Sequence, residues 1–103
     1  MKLVSTRDFS QKADLSYALL NPSAQGGGLF SPERLPLLSE DFFKQCEDLS
    51  YKQIALKIIE SFDFDVSSEV FESALGRYDK FENPACPAQI KKLSENAYIL
   101  ELY

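Results

Sequence analysis

The segment SYKQIALKIIESF, Ser50 to Phe62, leaves little choice of structure. Ser50 followed three residues later by Gln53 is a capping box, in which each side chain satisfies a backbone N–H that the first helical turn leaves open. Tyr51, Ile54, Ala55, Ile58, Ile59 and Phe62 then recur at helical spacing and draw one apolar stripe. Three further helix starts are legible. Ser39 precedes Glu40 and Asp41, acidic residues that suit the positive end of a helix dipole, and Phe42, Phe43 and Cys46 supply an apolar side. Ser67 stands at a cap position with Val66 and Phe71 placed as a hydrophobic staple, and Phe71, Ala74, Leu75, Tyr78 and Phe81 make the inner face. Asp14 caps a shorter helix with Leu15, Ala18 and Leu19 on one side. The pairs Asn21-Pro22 and Asn83-Pro84 stop two of these helices, because a residue before proline avoids the α region.

The two ends of the chain read differently. Leu3–Thr6 and Leu29–Ser31 are short strand candidates and natural partners, with Pro32 and Pro36 confining the second to an edge. Gly26, Gly27 and Gly28 form a turn between helix and strand. Asp63-Phe64-Asp65 is a connector, and Pro84 to Pro87 a rigid linker. Ile90–Leu93 and Ala97–Tyr103 are two strand arms around Ser94-Glu95-Asn96. The fold class is therefore α+β: one small domain, residues 1–103, of about four helices packed with short antiparallel strands near both termini. A chain this long can bury roughly 65% of its unfolded surface. Eight Phe and five Tyr, against no Trp and one Met, point to a core of aromatic rings. The apolar run AYILELY reads as a buried strand.

The net charge of −5 and the scatter of the 11 basic residues argue against a nucleic-acid or anionic-membrane surface, which needs concentrated positive charge. No run approaches the roughly 20 apolar residues of a membrane span, and no signal peptide is visible. The chain has no His, and Cys46 and Cys86 lie far apart, so the usual zinc frameworks are excluded. Both thiols read as reduced packing residues of a cytoplasmic protein, since neither has a His base to make it a nucleophile.

Three groups have the residue types of a functional site. The glycine triplet is followed by strand and proline rather than by a helix, so it reads as a turn and not a phosphate loop. The carboxylate pairs Asp63/Asp65 and Glu40/Asp41 lack calcium-loop spacing and read as a solvated connector and a helix start. Ser5-Thr6-Arg7 offers two hydroxyls and a guanidinium, which could grip a phosphate; alternatively, Arg7 pairs with an acidic neighbour. None of these is a catalytic set.

Five stretches carry a resemblance to a known family. KLVSTR from Lys2 is similar to K-x-V-S-T-R; LSYALL from Leu15 to a shortened L-S-F-x-E-A-L-L. AQGGGLFSPERLPLLS, Ala24 to Ser39, resembles A-P-D-G-G-L-Y-V-P-E-x-L-P-x-L-S. LSYKQIALKII, Leu49 to Ile59, resembles L-S-Y-x-E-L-A-x-x-I, and NAYILELY, Asn96 to Tyr103, resembles N-x-Y-V-L-E-L-F. In this order they resemble the N-terminal region of threonine synthase. The departures, Gln25 and the extra Gly26, fall in a turn. The resemblance implies an enzyme that turns O-phospho-L-homoserine and water into L-threonine and phosphate, with pyridoxal phosphate as electron sink. It also implies that the family's H-G-P-T-L-A-F-K-D, with the cofactor lysine, would follow Tyr103. By that resemblance this chain holds no catalytic or cofactor-binding residue, binds no cofactor itself, and packs on the cofactor-binding domains of its own enzyme. Thr6 and Arg7, which recur in the family opening, are then expected at the rim of the substrate cleft. The alternative is a free-standing cytoplasmic interaction domain that binds a partner, or a second copy, through the strand at Ala97–Tyr103.

Overall fold

The computed structural model describes residues 1–102. In chain order these form β1 (Leu3–Ser5), β2 (Lys12–Ala13), α1 (Leu15–Leu20), β3 (Phe30–Pro32), α2 (Glu40–Cys46), α3 (Tyr51–Ser61), α4 (Ser68–Leu75), β4 (Ile90–Ser94) and β5 (Ala97–Leu100). The expected α+β class, with four helices and short antiparallel strands near both ends, is what the chain adopts. Tyr103, which the sequence pattern assigns to the last strand, lies outside the described residues.

The capping box at α3 is complete. Ser50 Oγ accepts from the Gln53 N–H at 3.4 Å, and Gln53 Oε1 accepts from the Ser50 N–H at 2.9 Å. Ser39 caps α2 by accepting the Phe42 N–H at 3.1 Å. The other two caps hold the expected positions by other means. Asp14 has the extended backbone of a cap residue, but its carboxylate pairs with Lys2 at 2.6 Å instead. The start of α1 is closed by Asp65, 49 residues away, whose two oxygens accept the Ser16 N–H at 3.3 Å each and also the Ser16 hydroxyl. Ser67 likewise has the extended backbone of a cap residue and makes no side-chain cap bond to α4. After Leu75 the helix tightens into a 3-10 segment, Gly76–Lys80, which swings Tyr78 between Tyr51 (centroids 5.4 Å apart) and Phe81 (4.8 Å).

The N-terminal sheet has the order β2-β1-β3, all antiparallel. β1 pairs with β3 in the register Leu3↔Pro32, Val4↔Ser31, Ser5↔Phe30. Pro32 thus falls on an edge strand, where its missing N–H costs no ladder bond. β2 is two residues long and was not legible as a strand. β4 and β5 form a separate two-stranded hairpin, Ile90↔Leu100, Lys91↔Ile99 and Lys92↔Tyr98, with an irregularity between Lys92 and Ser94.

The interior is thin and mostly aliphatic. Leu3, Val4, Ala13, Ala18, Ala24 and Leu75 are buried, and Ser5 is fully enclosed. No aromatic ring among the described residues is buried; the rings pair at half-exposed positions, as in the parallel stack of Phe62 on Phe64 at 5.2 Å. The hairpin is exposed on both faces, contrary to the reading of AYILELY as a buried strand, because no other described element covers it. The radius of gyration is 16.5 Å, against about 13 Å for a compact chain of this length. The accessible surface is 7966 Å², against about 5,900 Å² for a compact monomer of this mass. The chain therefore buries about 53% of its unfolded surface rather than the expected 65%. Some 2,000 Å² of excess surface is about what one side of a large, permanent interface exposes when its partner is taken away.

Candidate functional site

Thr6, Arg7 and the glycine triplet come together at one end of the N-terminal sheet. Where β1 ends, its pairing with the returning chain continues. The Thr6 N–H donates to Leu29 O at 2.8 Å, and Thr6 Oγ1 accepts the Leu29 N–H at 3.1 Å. Arg7 Nη1 donates to Gly26 O at 2.9 Å. Beneath them the buried Ser5 Oγ accepts the N–H groups of Arg7 and Asp8, both at 3.3 Å. Sequence reasoning singled out Thr6 and Arg7 and treated the glycines as a separate turn; the structure makes one constellation of them.

The turn itself is as expected. Gly26 (φ 79°) and Gly27 (φ 82°) lie in the left-handed region, which favours glycine. The Ala24 N–H donates to Gly28 O at 2.8 Å, and the Gly27 N–H to Ala24 O at 3.0 Å, so the backbone bonds close the turn on itself. Gly28 has an ordinary φ of −73°, and its requirement is space. A Cβ there would stand 2.3 Å from Ser5 Oγ.

Sequence reasoning missed the loop that follows Arg7. Asp8 accepts from the Ser10 N–H (3.0 Å), the Ser10 hydroxyl (2.6 Å) and Gln11 Nε2 (3.0 Å). Gln11 O accepts the Ser5 N–H at 3.0 Å. The signal was present as Asp8-x-Ser10, a local aspartate turn. This loop holds Phe9 out in solvent at 73% exposure, and Leu29 is exposed as well.

The acidic pairs take structural roles. Asp65 caps α1, Asp63 occupies a left-handed turn (φ 49°) whose carbonyl receives the Met1 amino group, and Asp41 sits 3.8 Å from Lys44 on α2. Among the described residues no three His, Cys, Asp or Glu side chains group as a metal site would require, and Cys46 and Cys86 are free thiols. None of the eight lysines is buried, as a Schiff-base lysine must be, and six of them meet partners such as Asp14, Glu33, Asp79 or Glu101. A pyridoxal phosphate site does not fit the residues present. No described helix is long and apolar enough to cross a membrane. An open polar groove of about 580 Å³ lies between Lys2, Lys12, Tyr17, Asn21, Gln25 and Phe30, and does not include Thr6 or Arg7.

Asp8, Asp65, Glu69 and Glu33 titrate below their ordinary values. The hydroxyls of Ser10, Ser16 and Ser67 hold Asp8, Asp65 and Glu69 down, and Lys12 does the same for Glu33. A carboxyl depressed on folding stabilises the fold above its unfolded pKa and loses that contribution as pH falls through the depressed one. Stability is therefore expected to be level above pH 4.5 and to decline steadily below pH 3.8, the ordinary Glu and Asp values. Urea midpoints measured from pH 6 to pH 2.5 check this, and Asp65→Asn flattens part of the slope.

An α+β domain with a glycine-pinned arginine at one end and a large uncovered apolar surface is the class that this geometry defines. A family model described as "Threonine synthase N terminus" matches residues 2–77, and the chain belongs to that family. It is 27% identical over 103 residues to a threonine synthase of Schizosaccharomyces pombe, covering 97% of this chain and 20% of that protein. Against a threonine synthase of Methylobacillus glycogenes it is 32% identical over 69 residues, 67% of this chain and 14% of the relative. Among solved structures, a PLP-bound threonine synthase from Brucella melitensis superposes with a TM-score of 0.81 at 27% identity, over 98% of this chain and 22% of that one. The threonine synthase of Escherichia coli has the same fold, with a TM-score of 0.78 at 24% identity over 98% of this chain and 23% of that one. The chain thus matches between 14% and 23% of the length of these relatives.

Proposed function

We propose that this chain is the non-catalytic N-terminal domain of a cytoplasmic threonine synthase. The whole enzyme would convert O-phospho-L-homoserine and water to L-threonine and phosphate: phosphate leaves from the γ carbon, and the oxygen of water ends on the β carbon. Pyridoxal phosphate, when bound, supplies the electron sink. The residues that hold it would lie outside these 103, since no lysine here has the burial the role demands. The domain's own work is to pack on the cofactor-binding domains of its chain and to wall the substrate cleft, with Thr6 and Arg7 at the rim. The observation that carries the reading is the family match over residues 2–77. The uncovered apolar surface supports the packing role: Leu20, Leu35, Leu37, Ile90, Leu93 and Leu102 all stand more than half exposed.

Two measurements test this. The open reading frame should continue past Tyr103 into a lysine-bearing motif, and the purified full-length protein, with pyridoxal phosphate, should release phosphate and threonine from O-phospho-L-homoserine in equal amounts. A stop codon directly after Tyr103 would instead make the chain a free-standing interaction domain, and a full-length protein that forms no threonine would sink the enzyme reading.

A further inference from the structure

Arg7 is held and yet uncompensated. Its guanidinium gives Nη1 to the Gly26 carbonyl, and it is the one arginine of three whose side chain makes a hydrogen bond among the described residues. It makes no ion pair there, although the chain carries a net charge of −5. The nearest acid along the chain, Asp8, is engaged by Ser10 and Gln11 in its own turn. The side chain is thus exposed and fixed at one nitrogen, with its remaining N–H groups open. That is the arrangement in which an arginine loses little freedom when it meets an anion, and its planar fork suits a phosphate.

The turn fixes the guanidinium from two sides. Gly26 supplies the carbonyl, and Gly27 supplies emptiness: a Cβ on Gly27 would stand 3.1 Å from Nη1. Gly26 has nearly the same backbone angle, but a Cβ there meets nothing within 4 Å. The two glycines therefore share the backbone strain of a substitution and differ in what a side chain would displace.

The geometry points to Arg7 as the residue that binds the phosphate group of the substrate, with Gly27 as the residue that positions it; this rests on the reading of the enzyme given above. The test uses the full-length protein and two probes. Inorganic phosphate binding is measured by calorimetry, which needs no turnover, and KM is measured for O-phospho-L-homoserine. Arg7→Ala should weaken phosphate binding and raise KM together, each by about tenfold or more, the worth of a charge-assisted bond. Arg7→Gln, a shorter polar side chain without the charge or the planar fork, should do the same if Arg7→Ala folds poorly. Gly27→Ala should weaken phosphate binding several-fold more than Gly26→Ala, and should add nothing in an Arg7→Ala background. Phosphate affinity within twofold of the parent in both Arg7 variants overturns the proposal. So does a rise in KM with unmoved phosphate affinity. Equal effects of the two glycine variants overturn the positioning role. A full-length protein that makes no threonine but binds phosphate through Arg7 would refute the enzyme reading and the assignment to its substrate, and leave the phosphate site itself standing.

Discussion

Gly28→Ala should destabilise the domain by about 3 kcal/mol, at the upper end of what overpacking costs. The added Cβ would stand 2.3 Å from Ser5 Oγ, 3.2 Å from the Arg7 nitrogen and 3.3 Å from Arg7 Cβ. Two of these three neighbours cannot give way cheaply. Ser5 is wholly enclosed in the central strand, and its hydroxyl oxygen already receives the N–H groups of Arg7 and Asp8. The Arg7 nitrogen is backbone. Relief would have to come from parting β1 and the chain opposite it, and with them the bonds between Thr6 and Leu29. Gly26→Ala is the internal comparison. It meets no atom, so only its left-handed backbone is strained, a cost of about 1 kcal/mol. Urea unfolding at neutral pH separates the two. A loss under about 1 kcal/mol for Gly28→Ala would mean that the sheet opens at this point more easily than the contacts imply.

The same contact shows what was legible in the sequence and what was not. The partnership of Leu3–Thr6 with the Leu29 segment could be read from apolar runs and prolines. Its register could not, and the register is what places the site. With Ser5 opposite Phe30, the antiparallel count puts Thr6 opposite Leu29 and Arg7 opposite Gly28. A residue type seen as a possible phosphate grip and a triplet seen as a turn are therefore one object, joined by a pairing some twenty residues apart.

Elsewhere the boundary lies between local and distant chemistry. The Ser50–Gln53 box and the Ser39 cap were legible because both partners sit within one turn of helix. Asp14 and Ser67 were placed correctly as cap residues, but neither side chain makes the cap bond: Asp14 answers to Lys2, and the cap of α1 comes from Asp65 across the fold. Composition misled on the core. Thirteen aromatic residues say how much apolar surface must be covered, and nothing about whether these 103 residues can cover it. With about 53% of the unfolded surface buried, they do not, so the rings remain half exposed and the small aliphatic residues of the sheet form the interior.

That shortfall yields a prediction in two settings. In the isolated 103-residue chain, Leu75→Ala should cost about 3 kcal/mol, because Leu75 is 9% exposed and its removal leaves a cavity between α3 and α4. Ile99→Ala and Leu100→Ala, at 46% and 52% exposure on a hairpin that no other described element covers, should each change stability by less than about 0.5 kcal/mol. In the full-length enzyme the order should change. If the hairpin packs on the remainder of the chain, as proposed, Ile99 or Leu100 becomes a core residue and its loss costs about 2 kcal/mol or more, while the cost of Leu75→Ala stays as it was. Surface burial is a property of the whole chain, so the same substitution reads differently in the two settings only where an interface forms. Hairpin variants silent in both would show that this face remains in solvent, and would pass the packing role to the exposed leucines at Leu35 and Leu37.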